Sequence, residues 1–242
     1  MAAPSGAIGI TGGARGIGAA LALELARRGL TVGCLTRGAR LPEGAPASML
    51  AVECDVADDT SIHRAVDELA RRAGGLAGMI NNAGIHNEGP SESIDMADYD
   101  ALMAINARAV FVGCRAAFPH LKDRGGTIVN IGSFFDKLAV PGNVAYCASK
   151  AAVGAITRCL AAEWARHGII VLDVAPGYVE TDFNRDFMRN EKIQAWLKSR
   201  VPLGRAATLD EIARLVGMLF AEPIPYLTGD TIYIDGGHGH KL

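Results

Sequence analysis

Five cysteines in 242 residues, widely scattered and without C-x-x-C spacing, are too few and too irregular for a disulfide framework or a zinc site. Cys34, Cys54, Cys114, Cys147 and Cys159 are expected as reduced thiols, as in a cytoplasm. Net charge is also scarce. A formal balance of -2 argues against a general binder of nucleic acid or anionic membranes. No apolar run reaches the ~20 residues that a bilayer-spanning helix needs, so no membrane partner is expected. The opening Met1-Ala2-Ala3-Pro4-Ser5-Gly6 lacks the basic and apolar regions of a signal peptide, which again points to a cytoplasmic location. There is no internal repeat, low-complexity segment or linker that would divide the chain. Hydrophobic residues make up 50%, enough for one well-buried domain over residues 1–242.

Short β-branched runs alternate with alanine- and leucine-rich helical stretches. Strands are expected at Ile8–Ile10, Thr31–Leu35, Met49–Glu53, Met79-Ile80, Thr127–Ile131, Ile169–Val174 and Thr231–Ile234. Helices are expected over Gly16–Arg28, Ile62–Arg72, about Asp98–Leu121, around Tyr146 and Lys150, and from near Asp210. Such alternation predicts an α/β fold: one mostly parallel, seven-stranded, doubly wound sheet with helices on both faces. Pro42, Gly44 and Pro46 make a full helix between the second and third strands improbable. The amphipathic stretch from about 182 to 205 reads as a substrate lid, and equally as a surface helical hairpin.

Chemistry enters with Tyr146 and Lys150. In a helix their four-residue spacing puts phenol and ammonium on one face. A free tyrosine titrates near pH ~10, and a fixed cation favours its phenolate. Bringing it to about pH 7 takes ~4 kcal/mol, within reach of one ammonium plus a second nearby charge. Alone, the pair is a spacing that many helices contain. A second motif, Thr11-Gly12-Gly13-Ala14-Arg15-Gly16-Ile17-Gly18, follows the first strand and opens the first helix. Glycines there let the chain approach a pyrophosphate, which meets the free N–H groups of the helix N-terminus.

Together with Asn81-Asn82-Ala83-Gly84, Ser133 and Pro176-Gly177-Tyr178-Val179-Glu180-Thr181, these motifs resemble the short-chain dehydrogenase/reductase family across nearly the whole chain. The look is closest to its 3-oxoacyl-carrier-protein reductase type. The resemblance implies a Rossmann-type domain and hydride transfer between a nicotinamide cofactor and a carbonyl or alcohol. It implies a catalytic set of Asn106, Ser133, Tyr146 and Lys150. Serine polarises the carbonyl, tyrosine passes the proton, lysine lowers the tyrosine's pKa and bonds the ribose, and asparagine holds a water. Hydride arriving at a carbonyl leaves an alkoxide, which needs hydrogen-bond donors and a proton source.

The same resemblance places Gly12, Arg15, Gly16, Ile17, Gly18, Thr36, Arg37, Asp55, Val56, Asn82, Ala83, Gly84, Pro176, Gly177, Val179 and Thr181 around the cofactor, with Tyr146 and Lys150. NAD enzymes usually carry an acid at the end of the second strand. Here Thr36-Arg37 stands there, with Arg15 in the glycine turn, which suits the 2′-phosphate of NADP(H).

For the substrate, Ser133, Phe134, Phe135, Tyr178, Phe183 and Phe187 suggest a pocket with apolar walls. His86, just after the Asn-Asn-Ala-Gly turn, reads equally as facing the substrate or as a solvated loop residue, and Asp136 as shaping polarity at the pocket mouth or pairing with Lys137. His238 and His240 on a terminal tail make a poor metal site, and no metal is expected. The favoured reading is an NADP-linked carbonyl reductase or alcohol dehydrogenase acting on a small molecule. An NAD-dependent sugar, polyol or hydroxy-acid dehydrogenase is the alternative, and a non-catalytic dinucleotide sensor a third. By resemblance, the helices of Asp98–Leu121 and Tyr146–His167 would join subunits into a homotetramer or homodimer.

Overall fold

Each apolar run becomes a strand of one sheet. The computed structural model describes residues 6–181 and 184–240. Its strands are β1 (Ala7–Thr11), β2 (Thr31–Thr36), β3 (Leu50–Glu53), β4 (Leu76–Asn81), β5 (Gly126–Ile131), β6 (Ile169–Pro176) and β7 (Thr231–Ile234). They lie in the order β3-β2-β1-β4-β5-β6-β7, with every pairing parallel. The helices are α1 (Gly16–Arg27), α2 (Asp59–Ala73), α3 (Met96–Met103), α4 (Ala109–Leu121), α5 (Val144–Trp164), α6 (Arg185–Arg189), α7 (Glu191–Arg200) and α8 (Leu209–Ala221).

Successive strand side chains point to opposite faces, so a sheet of apolar runs needs cover on both. Met79 and Ile128 share one core with Leu69 of α2, Ala117 of α4 and Leu160 of α5. Their neighbours Ile80 and Val129 share the other with Leu21 and Leu25 of α1 and Val216 and Phe220 of α8. Helix ends follow local chemistry. Asp58 caps α2 by accepting from the Thr60 N–H at 2.9 Å, and Gly74 stops it at φ 71°, a left-handed conformation that glycine adopts without strain. No helix forms between β2 and β3, where the prolines stand.

Three elements depart from the sequence expectation, the first being β4, which starts at Leu76, three residues ahead of the expected Met79-Ile80. The helix expected from about Asp98 begins at Met96 and widens midway into a π-turn over Ala104–Arg108 before continuing as α4. Such turns insert one residue and often mark functional sites, and this one carries Asn106. The 26-residue stretch Met96–Leu121 is long and apolar enough to cross a bilayer, but 56% of its most apolar window is buried within the protein. It is a core helix. The stretch from 182 to 205 folds, within the described residues, as α6 and α7 around a small core of Met188, Leu197 and Val201. Its base is pinned where Ala207 donates to the Tyr178 carbonyl and Glu180 to the Ala207 carbonyl, at 2.8 and 3.0 Å.

Candidate active site

All strands end on the same edge of the parallel sheet. Beyond β1 the chain turns to one face and beyond β4 to the other, which leaves a crevice between them. Ser133, just past β5, is buried and accepts from the Phe135 N–H at 3.3 Å, starting a tight turn at Phe134–Asp136. That bond fixes the hydroxyl near the phenol of Tyr146, on whose titration it acts. On α5, Lys150 is 5% exposed and donates from Nζ to the Ile131 carbonyl at 2.8 Å. The same Nζ stands 5.7 Å from the centre of the Tyr146 ring. Two edge-on aromatic contacts hold that ring, His86 at 4.7 Å and Phe135 at 5.7 Å.

Burial is the dominant influence on these groups. It pushes the Tyr146 phenol above its usual range, and the Ser133 hydroxyl opposes it. Burial also pulls Lys150 down to about 8, which the carboxylate of Asp173 resists. Asp173 in turn is pushed up to about 7 by burial, with Lys150 as the largest opposing influence.

Asn106 is fully buried, and its side chain is spent on backbone. Its Oδ1 accepts from the Ile85 N–H and its Nδ2 donates to the Ile85 carbonyl, both at 2.8 Å. A weaker bond of 3.4 Å runs from Nδ2 to Ser149 Oγ. The asparagine therefore clamps the loop after β4 against the π-turn. The side-chain donors are thereby committed, and one lone pair of Oδ1 remains for the water-holding role expected of it.

At the other end of the crevice, the glycine turn is drawn tight. A Cβ on Gly18 would stand 2.3 Å from the Gly12 carbonyl oxygen, so α1 begins against the turn only because residue 18 has none. Gly16 has a φ of +54°, and a Cβ there would meet nothing within 4 Å. Arg15 does not cap α1 with its side chain. These features fit a pyrophosphate: open space at the head of α1, bordered by first-turn N–H groups with no side-chain cap. Asn82 ties β4 to the turn, donating from Nδ2 to the Thr11 carbonyl at 2.9 Å, while Thr11 Oγ1 accepts from the N–H groups of Asn82 and Ala83. Thr36 closes β2 by accepting from the Arg40 N–H at 2.7 Å, and Arg15, Arg37 and Arg40 are exposed. Asp55 is exposed and accepts from the Ala57 N–H at 3.0 Å, with Val56 partly buried beside it.

A cavity of about 320 Å³ joins the two ends. It is lined by Ser133, Tyr146 and Lys150 together with Ile17, Asn82, Gly84, Pro176, Gly177, Val179 and Thr181, all singled out in the sequence. His86, one of whose two readings faced the substrate, lines it as well, with Ile85, Ile131, Gly132 and Asn184, which no specific motif announces. The expected aromatic walls stand elsewhere. Phe134 and Phe135 are 3% and 9% exposed because they turn inward, Phe134 meeting Tyr178 and His238 with ring centres 5.1 Å away. Phe187 points to solvent at 59% exposure, since α6 packs through Met188 instead. Phe183 lies outside the described residues. His238, expected on a loose tail, is wedged against Phe134, Tyr178 and Trp196.

A family model described as "Enoyl-(Acyl carrier protein) reductase" matches residues 12–239. The chain belongs to the short-chain dehydrogenase/reductase family. A curated relative within the family, gluconate 5-dehydrogenase of Gluconobacter oxydans (strain 621H), is 35% identical over 236 residues, 94% of this chain and 92% of that protein. The 3-oxoacyl-[acyl-carrier-protein] reductase FabG of Thermotoga maritima is 34% identical over 236 residues, covering 94% and 95%. Among solved structures, a gluconate 5-dehydrogenase from Burkholderia cenocepacia J2315 in complex with NADP and tartrate matches with a TM-score of 0.86 and 32% identity, covering 98% of this chain and 96% of the other. The protein is accordingly an oxidoreductase of CH–OH groups, and members of its family use NAD(P).

Proposed function

We propose that this enzyme interconverts a secondary alcohol and a ketone with NADP(H), Tyr146 acting as general acid and base. The observation that carries the reading is the convergence of Ser133, Tyr146 and Lys150 on one wall of the cavity that the head of α1 closes at its other end. The dinucleotide, when bound, supplies or accepts the hydride. Tyr146 passes a proton between its phenolic oxygen and the substrate oxygen, and the Ser133 hydroxyl offers that oxygen a second hydrogen bond.

The demand on Lys150 can be sized. Burial raises the phenol, so the opposing charge must do more than cancel that. At an effective dielectric of ~20, an ammonium 5.7 Å from the ring centre is worth ~3 kcal/mol, or about two pH units, to a charge spread over the phenolate. Lysine alone leaves Tyr146 above neutrality, and a second positive charge in the cavity completes the shift. NADP is supported over NAD by Thr36 at the end of β2, with Arg15, Arg37 and Arg40 exposed around it.

For the substrate, the lining favours a polar, hydroxylated molecule. Phe134 and Phe135 turn inward, so the polar side chains of His86 and Thr181 stand on the lining instead, His86 oriented by Asn143 at 2.6 Å, and Asn184 beside them is braced by the Thr181 N–H and the Val179 carbonyl. The gluconate 5-dehydrogenases among the relatives support a sugar-acid or polyol substrate. The exposed Phe111 of α4 and Val144 of α5 support subunit pairing through those helices.

The test is a panel of polyols, sugar acids, simple ketones and a 3-oxoacyl thioester, followed by cofactor absorbance with NADPH and NADH. Tyr146→Phe should lower turnover by ~10²-fold or more while NADPH still binds. Undiminished turnover in that variant would sink the mechanism.

A further inference from the structure

A carboxyl group lies behind the cavity wall, on the second strand from the sheet edge. Asp173 sits in the middle of β6, every residue of which is buried, and is itself 0% exposed. It is absent from the cavity lining, so substrate does not reach it. Its Oδ2 accepts from Thr231 Oγ1 of β7 at 3.2 Å, while its buried Oδ1 lies against Gly132, whose N–H is committed to the Val174 carbonyl and acts on the carboxylate without closing a full hydrogen bond. Burying a carboxyl group with one oxygen unsatisfied is costly, so the position calls for an account.

The geometry ties it to the lysine. A Cβ on Gly132 would stand 2.3 Å from Asp173 Oδ1, so the carboxylate occupies the space a side chain would take there. Gly132 adjoins Ile131, whose carbonyl receives the Lys150 ammonium at 2.8 Å. A Cβ on Gly154, one helical turn beyond Lys150, would lie 3.9 Å from Oδ2. Gly132, just past β5, thus makes room for a carboxylate beside the peptide that holds the ammonium, and Gly154 of α5 borders its other oxygen. The lysine and the carboxylate do not form a direct ion pair, yet they act on each other through the protein interior.

We propose that Asp173 is a positioning residue for Lys150, its buried carboxylate keeping the ammonium protonated and seated on the Ile131 carbonyl. The proposal rests on Lys150 serving Tyr146 as described above. Other charged groups also surround Asp173. Asp136, from the turn after β5, adds negative charge but is engaged by the Tyr233 hydroxyl at 2.7 Å. Tyr233 of β7 carries Lys137 3.3 Å above its ring and feels Arg158 of α5. Lys150 is the largest charged influence on Asp173, and Asp173 the one charge resolved as acting on Lys150.

The test compares the full-length enzyme with Asp173→Asn, which keeps the volume and an oxygen for Thr231. Lysine side chains are isotope-labelled, and Lys150 is assigned by its loss in Lys150→Met. In Asp173→Asn the ammonium should lose its proton at least about one pH unit lower, a tenfold change in proton affinity. The alkaline limb of kcat/KM should move by the same amount. An unmoved Lys150 titration overturns the proposal. A stability cycle adds a readout that needs no turnover. Asp173→Asn should be more favourable in the Lys150→Met background, where the carboxylate has lost its countercharge, than in the wild type. Equal effects in both backgrounds also overturn it. Absence of activity on every substrate would instead strike the reading of Tyr146, leaving both of these measurements to be judged alone.

Discussion

Asn106→Ala separates two roles that the same residue could play. In the structure its carboxamide makes two 2.8 Å hydrogen bonds to the backbone of Ile85 from a fully buried position. Each such bond is worth ~1 kcal/mol net. Truncation also leaves a small cavity, so the total is ~2–3 kcal/mol. Ile85 is 37% exposed, so water can reach its freed N–H and carbonyl, which keeps the cost from running higher. For a chain of this length that loss lowers the melting temperature by ~4–12 °C. The function should suffer in a particular way. Ile85 and His86 line the cavity, so loosening them should raise substrate KM while NADPH affinity holds. Thermal unfolding and steady-state kinetics of the variant together decide the matter. A melting temperature within ~1 °C of wild type, with kcat alone reduced, would refute the clamp and favour a proton-relay role.

Three further outcomes follow from the geometry. Arg37→Ala should weaken NADPH binding by ~10–100-fold through loss of one charged hydrogen bond to the phosphate, with NADH binding unchanged. Equal losses for both cofactors in a fluorescence titration would count against the NADP assignment. Gly18→Ala puts a Cβ 2.3 Å from the Gly12 oxygen and 2.6 Å from Asn82 Nδ2. It should cost ~1–3 kcal/mol of stability and reduce affinity for both cofactors, and a neutral result by calorimetry would mean the turn is not held as described. The third concerns pH. Asp173 has its pKa raised to about 7 in the fold, so between about 4 and that value the native state binds more protons than the unfolded one. Wild-type stability therefore declines as pH rises through this window on account of Asp173. Denaturant titrations of Asp173→Asn minus wild type should grow in the variant's favour from pH about 4 to about 7, and a flat difference would contradict the shift.

Much of this was legible in the chain. Parallel strands buried on both faces read as uninterrupted apolar runs, which is why β1, β2 and β6 were recoverable to within a residue or two. Ile17 of the glycine turn, Ser133, Tyr146 and Lys150 line one cavity. What could not be read was direction. Phe134 and Phe135 occupy a three-residue turn, too short for any periodicity to say which side they face, and both pack inward. Phe187 sits on a five-residue helix whose buried side is Met188, a choice made by the local core rather than by composition. The π-turn was invisible because one inserted residue shifts a helical pattern no more than ordinary sequence noise does. One signal was present and unused: an aspartate inside the apolar run Ile169–Pro176 is a local conflict, and such conflicts concentrate at functional sites.

That conflict has a physical logic at Asp173. A buried ammonium needs a countercharge, or burial strips its proton near neutrality. A carboxylate in direct contact would meet that need but would occupy the donors on which the lysine's work depends. An ammonium has three donors. Lys150 gives one to the Ile131 carbonyl and keeps the face toward the cavity open, because its countercharge lies on the far side of the neighbouring peptide. The fold bears the cost as a carboxylate oxygen without a full hydrogen bond and a pKa displaced toward neutrality. Replacing the pair with apolar residues of similar volume should therefore raise stability, as buried ion pairs commonly allow, while removing the cation beside Tyr146. In Lys150→Met/Asp173→Val, whose side chain is nearer in size to aspartate, unfolding midpoints should rise above those of Lys150→Met as turnover stays lost. A double variant less stable than Lys150→Met would show that the carboxylate contributes to the fold on its own account, through Thr231, rather than through the lysine.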